Sequence, residues 1–329
     1  MENSADSRKS RNWNSFSIMT RKKRSLRRTI FIACEGRNTE PIYFEKIAEE
    51  IEDRGTFSVT IYPERGDDSP MSHALGLVLE ARSRIDDFDE VWVVFDRNGY
   101  TKHKEAFELA AETVNGKRVN IAFSSIAFEL WVLLHFEKSS TVFAKSAEIV
   151  QLLRDKGYFP AYEKKAYIDT YSFLKNRTLQ AMENTAWLRH ELEKAGVLDG
   201  RPLYELNPYT DVNALVARLL EIHEEYVWGS LGMPVNVGGI RLVVEKLAGN
   251  AALRVLVTND SGNSLLFNAA NIAGQFSIRS GAGLTQMSID KTTQVAPGEQ
   301  KDFVLASEEE FGAAMLVFMF GNYRMLMGL

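Results

Sequence analysis

The sequence predicts an α/β domain with a mostly parallel sheet flanked by helices, followed by an all-β domain. Up to residue 228, short apolar runs alternate with segments of helical periodicity in the order βαβαβαβα. Beyond Gly229 the composition changes to Val, Asn, Gly and Thr in short alternating runs. The 329 residues, 45% of them hydrophobic, are enough for two separate cores.

The predicted strands of the first domain are apolar on both faces, which is typical of a sheet covered by helices on both sides. Strands are predicted at 29–34, 57–61, 91–95 and 118–123. Helices are predicted to begin at Asn38 or Thr39 and at Ser69-Pro70, and to cover 101–115, 127–136, 144–156, 170–194 and 212–227. We therefore place the α/β domain at residues 28–229.

The second domain is predicted at residues 234–329. Short alternating runs at 241–245, 253–258, 275–278 and 315–320 are separated by turn signals such as Asn259-Asp260-Ser261-Gly262 and Ala296-Pro297-Gly298. This spacing predicts an immunoglobulin-like β-sandwich of about 95 residues. Residues 229–329 contain no cysteine or histidine. We therefore expect this domain to bind or dock rather than to carry metal chemistry.

A basic N-terminal arm, residues 1–27, precedes the first strand, and we expect it to be disordered. Residues 1–28 contain nine Lys or Arg and two Asp or Glu, a net charge of +7, which leaves −12 on the rest of a chain whose total is −5. Such an arm can place positive charge on nucleic-acid phosphates. The alternative is a solvated tail with no partner.

The sequence favours a cytoplasmic protein. Cys34 is the only cysteine, so no internal disulfide can form, which suits a reducing compartment. The longest apolar run near the carboxyl terminus, 313–320, is too short to span a bilayer, and no export signal is apparent. We therefore expect no membrane partner.

Acidic residues follow two predicted strands. Glu35 follows the first strand, Asp96 follows the third, and Glu129 lies just inside the helix after the fourth. Because the carboxyl ends of parallel strands meet at one edge, these three side chains are predicted to converge there. Each has a simpler reading as a turn, cap or helix-start residue, most strongly for Glu129.

Converging carboxylates repel one another unless a proton or cation lies between them, and hard oxygen ligands favour Mg²⁺. This predicts phosphoryl-transfer chemistry, with Glu35 as a proton-exchanging group. Arg37, Asn38 and Thr39 precede the first helix, where backbone N–H groups and an arginine can hold a phosphate. They can equally be a helix cap. The histidines show no metal-ligand spacing, and we assign them no catalytic role.

The segments IFIACEGRNTEPIYFEKI, DEVWVVFDRN, FELWVLLHF and NPYTDVNALVARLL occur in this order within residues 28–228. Together they resemble the RloB-like family of bacterial defence proteins, whose core is similar to the Toprim fold. The resemblance does not reach the β domain.

The resemblance implies a nuclease that uses Mg²⁺, or alternatively Mn²⁺. Its Glu-Gly element matches Glu35-Gly36, and its Asp-x-Asp element matches Asp96-Arg97-Asn98. Glu35, Asp96 and Asn98 would then be metal ligands, and Arg97 would join the phosphate-binding residues. Asn98 departs from the family's second aspartate, and one negative charge fewer weakens cation binding.

The leading hypothesis is therefore a metal-dependent nuclease that cuts RNA or DNA in antiphage defence by abortive infection. The resemblance also implies an ATPase partner, which would be another protein, since this sequence has no G-x-x-x-x-G-K-[ST] motif. The sequence does not determine whether the chain forms a homo-oligomer. The alternatives are a non-catalytic protein that binds nucleic acid or a nucleotide signal, favoured by Asn98, and a scaffold.

Overall fold

The computed structural model of the protein describes residues 27–52, 54–64, 73–97, 102–164, 168–249, 251–281, 283–308 and 310–329. Three predictions concern residues outside these ranges: the disorder of the basic arm, of which only residue 27 is described, the role of Asn98 as a metal ligand, and the helix start at Ser69-Pro70.

The first region of the chain alternates strands and helices. In chain order its elements are β1 (Arg28–Cys34), α1 (Thr39–Glu52), β2 (Phe57–Tyr62), α2 (Ala74–Ser83), β3 (Glu90–Asp96), α3 (His103–Ala111), β4 (Val119–Ser125), α4 (Glu129–Leu134), α5 (Ser146–Asp155), α6 (Thr170–Leu174), α7 (Thr178–Lys194), β5 (Tyr209–Thr210) and α8 (Val212–Leu220). Short 3₁₀ turns at Lys175–Arg177 and Leu203–Glu205 join some of these elements.

The strands of this region form one sheet in the order β2-β1-β3-β4-β5. The first four strands are parallel, and only β5 runs antiparallel, pairing with the end of β4. β1 and β3 are neighbours, with Cys34 opposite Val94. The predicted mostly parallel sheet flanked by helices is thereby confirmed.

The core of this region lies between the sheet and its helices. Residues 30–34 of β1 are buried, and Tyr43, Phe44 and Ile47 of α1 recur at helical spacing and are fully buried. The indole N–H of Trp131 in α4 donates to the Tyr43 hydroxyl at 3.0 Å, so the polar atom of each ring has a partner. Burial of each large side chain stabilises the fold by about 1.5–3 kcal/mol.

Two predicted helices were wrong in part. The helix predicted at 212–227 ends at Leu220, where Glu221 adopts φ of +54°, and Glu225–Gly229 is instead a strand, β6. The helix predicted at 170–194 is divided by the 3₁₀ turn Lys175–Arg177. Residues 225–229 form a strand despite their helical periodicity, because β6 pairs in parallel with the last strand of the chain, nearly a hundred residues away.

The carboxyl-terminal region is all-β apart from one short helix. Its further elements are β7 (Val235–Val237), β8 (Ile240–Lys246), β9 (Ala252–Asn259), β10 (Leu265–Phe267), α9 (Ile272–Gln275), β11 (Phe276–Ser280), β12 (Gly283–Gln286), β13 (Ser288–Ile289), β14 (Thr293–Val295), β15 (Gln300–Ala306), β16 (Met315–Phe320) and β17 (Tyr323–Gly328). The predicted all-β character is confirmed, whereas the immunoglobulin-like and Toprim-like types stay predictions.

The β strands form two five-stranded sheets, β12-β11-β16-β17-β6 and β13-β15-β9-β8-β7, and a two-stranded sheet, β10-β14. Both larger sheets contribute to one core, in which Phe276 of one sheet meets Phe303 of the other with ring centroids 6.0 Å apart. Within the described part of the chain, no helix is long and apolar enough to cross a membrane.

The two regions meet along α7. The Arg279 guanidinium of β11 forms two hydrogen bonds with the Glu183 carboxylate of α7, at 3.0 and 2.6 Å. The Trp228 indole of β6 donates to the backbone carbonyl of Glu183 at 2.9 Å, and the Lys138 ammonium lies 3.9 Å from the centre of the Trp228 ring. The β region therefore packs directly on the helices that cover the sheet.

Candidate functional site

Glu35 and Asp96 meet at the carboxyl ends of β1 and β3. The backbone N–H of Asp96 donates to Glu35 Oε2 at 3.0 Å, and the backbone N–H of Glu35 donates to the carbonyl of Val94 at 2.8 Å. Gly36 then turns the chain toward α1 with φ of +86°, a conformation that glycine adopts without strain. The Glu35 carboxylate thus lies against the backbone of Asp96 at the ends of two neighbouring strands.

Glu129 reaches the same edge from the first turn of α4. Its side chain is fully buried, and its Oε1 accepts a hydrogen bond from the Tyr162 hydroxyl at 2.9 Å. Its Oε2 lies 3.1 Å from Lys164 Nζ, and the same nitrogen lies 3.7 Å from Asp96 Oδ2. Lys164 therefore bridges two carboxylates that come from different strand ends.

Glu40 is a fourth carboxyl group of this cluster, and the sequence analysis missed it. It lies in the first turn of α1 and is 6% exposed. Burial, followed by repulsion from Glu129, raises the pKa of Glu40 to about 8, although Lys164 opposes the rise. A signal was available, because Glu40 and Glu129 hold equivalent places in helices that each follow a strand of the sheet.

The cluster holds more negative charge than its surroundings favour. Burial raises the pKa of Asp96 well above its usual range, and Glu40 raises it further. Burial also raises the pKa of Glu35, against the hydrogen bond from Asp96 that lowers it. Burial alone would lower the pKa of Lys164, but attraction to Glu129, Asp96 and Glu40 outweighs burial and raises it. The cluster consequently attracts protons or cations.

Lys164 was also missed, and no motif marks it. It lies 35 residues beyond Glu129 in the connection between α5 and α6. Its backbone carbonyl accepts a hydrogen bond from Thr39 Oγ1 at 3.3 Å. Only the folding of this connection onto the sheet edge brings the ammonium to the carboxylates.

The predicted phosphate-binding residues Arg37, Asn38 and Thr39 differ in their exposure to solvent. Arg37 is exposed, whereas Thr39 is buried as the first residue of α1. The Asn38 carbonyl accepts the Ile42 N–H at 3.0 Å, which is the first turn of the helix. Thr39 and Asn38 thus have structural contacts, and Arg37 is the residue of this group most open to solvent.

Arg97 follows Asp96 directly and is half-buried. Its backbone N–H donates to the Ser124 carbonyl at 2.9 Å, and its guanidinium Nη1 donates to the Glu205 carbonyl at 3.4 Å. His103 Nε2 lies 3.0 Å from the Asp96 carbonyl oxygen, so this ring contacts the last residue of β3. No sequence motif connects His103 with Asp96.

The donor types of the cluster suit Mg²⁺, but their arrangement does not. Carboxylate oxygens are the ligands that Mg²⁺ prefers. Among the described residues, however, no group of three or more His, Cys, Asp or Glu side chains is arranged to hold a metal ion. Glu35 Oε2 accepts the Asp96 N–H, and Lys164 Nζ lies between Asp96 and Glu129. The Lys164 ammonium is the positive charge nearest to these two carboxyl groups.

The fold and the site define a class: α/β proteins with buried carboxyl groups at the carboxyl edge of a parallel sheet. The chain belongs to the RloB-like family, because the family model described as RloB-like protein matches residues 30–219. The match covers Glu35, Glu40, Asp96, Glu129 and Lys164 and ends before the β region. No curated protein matches the chain.

Proposed function

We propose that the chain is a metal-dependent nuclease that hydrolyses phosphodiester bonds of RNA or DNA in antiphage defence by abortive infection. The observation that carries the proposal is the convergence of Glu35, Asp96 and Glu129 at the carboxyl edge of the parallel sheet. Ligands of open α/β sheets bind at this edge. Membership of the RloB-like family supports the same reading.

The proposed roles follow from exposure. Glu35 is half-buried and its carboxyl group can exchange a proton with water at the reacting phosphate, so we assign it acid–base chemistry. Asp96 and Glu129 are buried, and we assign their carboxyl oxygens the role of attracting a cation to this edge of the sheet. Arg37, exposed at the same edge, and Arg97 are proposed to bind substrate phosphates.

The proposed cofactor is Mg²⁺, with Mn²⁺ as a substitute. Two negative partners, the cluster and the phosphodiester, approach each other only when positive charge lies between them. The oxygen donors support this cofactor by type. Asn98, which would add a neutral oxygen, lies outside the described residues.

The test is cleavage of a mixed RNA and of plasmid DNA by the full chain, with Mg²⁺, with Mn²⁺ and with EDTA. Glu35→Gln removes the proton-exchanging group while it keeps the size of the side chain. We expect the variant to lose about 10²–10⁴-fold in rate. Glu49→Gln is the matched control, because Glu49 is exposed on α1 and pairs with Lys46 away from the cluster. Equal rates for the wild type and Glu35→Gln would refute the proposal.

A second candidate is a protein that binds nucleic acid or a nucleotide signal without cutting it. Two observations favour it: Asn98 in place of the family's second aspartate, and the ion pair between the Lys164 ammonium and the Glu129 carboxylate. This candidate predicts no cleavage with either metal, together with retained binding in a filter or gel-shift assay. Loss of that binding in Arg37→Ala would place the bound phosphates at this edge.

We further propose a cytoplasmic location and an ATPase partner encoded elsewhere, since the sequence has no nucleotide-binding motif of the G-x-x-x-x-G-K-[ST] type. The β region is the natural docking part, because the family match does not include it. Co-purification with the product of a neighbouring ATPase gene, lost on deletion of the β region, is the expected result. Size measurement of the purified chain decides whether it forms a homo-oligomer.

A further inference from the structure

The strand β2 lies at an edge of the parallel sheet. It pairs with β1 on one side, and within the described ranges no strand lies on its other side. An edge strand leaves the N–H and C=O groups of alternate residues open to another segment of chain. β2 has six residues, so its open edge is about 20 Å long. This edge can therefore take one more strand.

A groove of about 530 Å³ lies along this edge, between β2 and α1. Phe57, Val59 and Ile61 line it and alternate along β2 with the exposed residues Ser58 and Thr60. A segment that paired with β2 would therefore find apolar contacts as well as open backbone groups. Proteins often recognise an extended segment in this way, with backbone pairing for affinity and side-chain contacts for specificity.

The groove is also acidic. Glu45 and Glu52 of α1 line it, together with Glu64, which follows β2. Glu52 and Glu64 are exposed. Among the described residues, Arg27 is the one Lys or Arg that lines the groove. The segment that fits the groove is therefore extended, basic and apolar at alternate positions.

The basic arm begins beside this groove. The backbone N–H of Arg28 donates to the Thr56 carbonyl at 3.2 Å, and the Arg27 side chain lines the groove next to Gly55. Residues 1–26, which lie outside the described ranges, contain seven Lys or Arg and two Asp or Glu, a net charge of +5. The charge of the arm thus complements the charge of the groove at the point where the chain enters the sheet.

The arm also has the length and the pattern for an added strand. Covering β2 takes about six residues at about 3.3 Å each, and about four more lead from the edge back to Arg27. In the segment 15–20, Phe16 and Ile18 alternate with serines, which is typical of a strand with one apolar face. The basic run 21–24 then falls between that segment and β1.

We propose that the arm of the same chain occupies this groove: residues 15–20 add an antiparallel strand to β2, and the basic run 21–24 lies beside Glu52. The added strand is antiparallel because the arm must return to Arg27, next to the first residue of β2. The proposal depends on neither the metal nor the nuclease of the proposed function. It replaces the expectation of a disordered arm with a partner inside the chain.

The first experiment uses the wild-type full chain, without metal or nucleic acid. A carbodiimide joins lysines directly to carboxylates with which they are paired, and mass spectrometry identifies the joined residues. Unlabelled chains are mixed with ¹⁵N-labelled chains, so that bonds between copies are recognised by their mass. We expect Lys22 or Lys23 to be joined to Glu52 within one chain, and 0.5 M NaCl to reduce this product severalfold, where about 0.5 M is enough to screen exposed pairs.

Three results of that experiment would overturn the proposal. Bonds between an unlabelled and a labelled chain would show that the groove binds the arm of a second copy. Bonds from Lys22 and Lys23 spread over acidic residues outside the groove would show a solvated arm. The absence of any bond to Glu52 would show that the basic run lies elsewhere.

The second experiment tests the added strand by hydrogen–deuterium exchange of the segment 57–62, followed by mass spectrometry. The variant Phe16→Asp with Ile18→Asp places two carboxylates in an acidic groove and removes the apolar contacts. The matched control is Ser4→Asp with Ser7→Asp, which makes the same change of charge outside the proposed strand. Both variants alter the arm alone, so neither disturbs the described core.

We expect exchange in 57–62 to become severalfold faster in Phe16→Asp with Ile18→Asp, because the backbone groups of β2 lose their added partner. The control should match the wild type, and the interior strand β3 should exchange equally in all three chains. Equal exchange of 57–62 in the three chains overturns the proposal. Slow exchange of 57–62 that requires added RNA also overturns it, because the arm would then act on nucleic acid.

The outcomes separate this proposal from the proposed function. Loss of protection in Phe16→Asp with Ile18→Asp supports the docked arm even in a chain that cuts no nucleic acid. Metal-dependent cutting by a chain whose arm is never joined to Glu52 supports the nuclease and removes the docked arm.

Discussion

Two fully buried polar side chains, Asn259 in the β region and Glu129 in the α/β region, are satisfied in opposite ways. Asn259 Nδ2 donates to the carbonyls of Asn263 and Val295, at 2.8 and 2.9 Å. Its Oδ1 accepts the backbone N–H and the hydroxyl of Ser261, at 3.0 and 2.6 Å. The whole amide is paired with groups of its own region and carries no charge.

Glu129 is satisfied by Tyr162 and by the ammonium of Lys164, which is itself one-third exposed. Its other neighbours include Glu40 and Asp96, which repel it. The comparison separates two kinds of buried polar group. Every polar atom of the Asn259 amide has a hydrogen-bond partner, and this network stabilises turns. The carboxyl groups around Glu129 repel one another, and buried groups with shifted pKa values are typical of binding and catalytic sites.

The largest expected effect is on activity. On the proposed function, Asp96→Asn removes a buried carboxyl group that the site needs and the fold does not, so we expect cleavage to fall about 10³-fold, while the midpoint of urea unfolding stays the same or rises. Tryptophan fluorescence follows the unfolding. Retained cleavage, or a large loss of stability, would remove the contrast between this cluster and the Asn259 network.

Asn259→Ala tests the opposite side of the comparison. Four hydrogen bonds are lost inside the β region, so we expect about 3 kcal/mol of destabilisation and unchanged cleavage. Circular dichroism should report the loss, and tryptophan fluorescence should report it through Trp228, which lies on β6 in a sheet of the β region. Asn236→Ala is the control, because Asn236 is exposed on β7. A loss of cleavage in Asn259→Ala would show that the two sites are not independent.

The junction between the regions should have an intermediate effect. Arg279→Ala leaves the Glu183 carboxylate, 8% exposed, without its two hydrogen bonds from Arg279, so we expect a loss of about 1–2 kcal/mol. The fluorescence and circular dichroism transitions should then separate. Arg254→Ala is the control, because the Arg254 pair with Asp302 is exposed and about 0.5 kcal/mol or less is expected. Coincident transitions in Arg279→Ala would argue against this contact as the link.

The smallest expected effect depends on pH. Burial raises the pKa of Asp211 to about 7, although the Phe123 N–H that it accepts lowers it. The folded chain therefore binds this proton more tightly than the unfolded chain, and stability falls as the pH rises from about 4 to about 7. Asp211→Asn removes that loss, so we expect the wild type to lose stability relative to the variant between pH 5 and pH 8. Urea midpoints at the two pH values measure it, and a parallel change in both chains would contradict it.

Much of the α/β fold could be predicted because its signals are local. Apolar runs place β1 and β3 within a residue of their observed ends, and the parallel order brings Glu35 beside Asp96. Glu40 has the same local signal as Glu129, an acidic residue in the first turn of a helix that follows a strand, but it was not among the predicted site residues. Lys164 had none, because its role depends on how a long connection lies over the edge of the sheet.

The sequence by itself determined the two-part architecture, the strand ends that carry Glu35 and Asp96, and the family. Only the tertiary structure decided that Glu225–Gly229 is a strand, that Glu40 joins the cluster and that Lys164 lies between Asp96 and Glu129. The physical reason is the distance along the chain over which each interaction acts. Hydrophobic periodicity and turn chemistry act within a few residues, whereas strand pairing and the balance of buried charge depend on groups that meet only when the chain is folded.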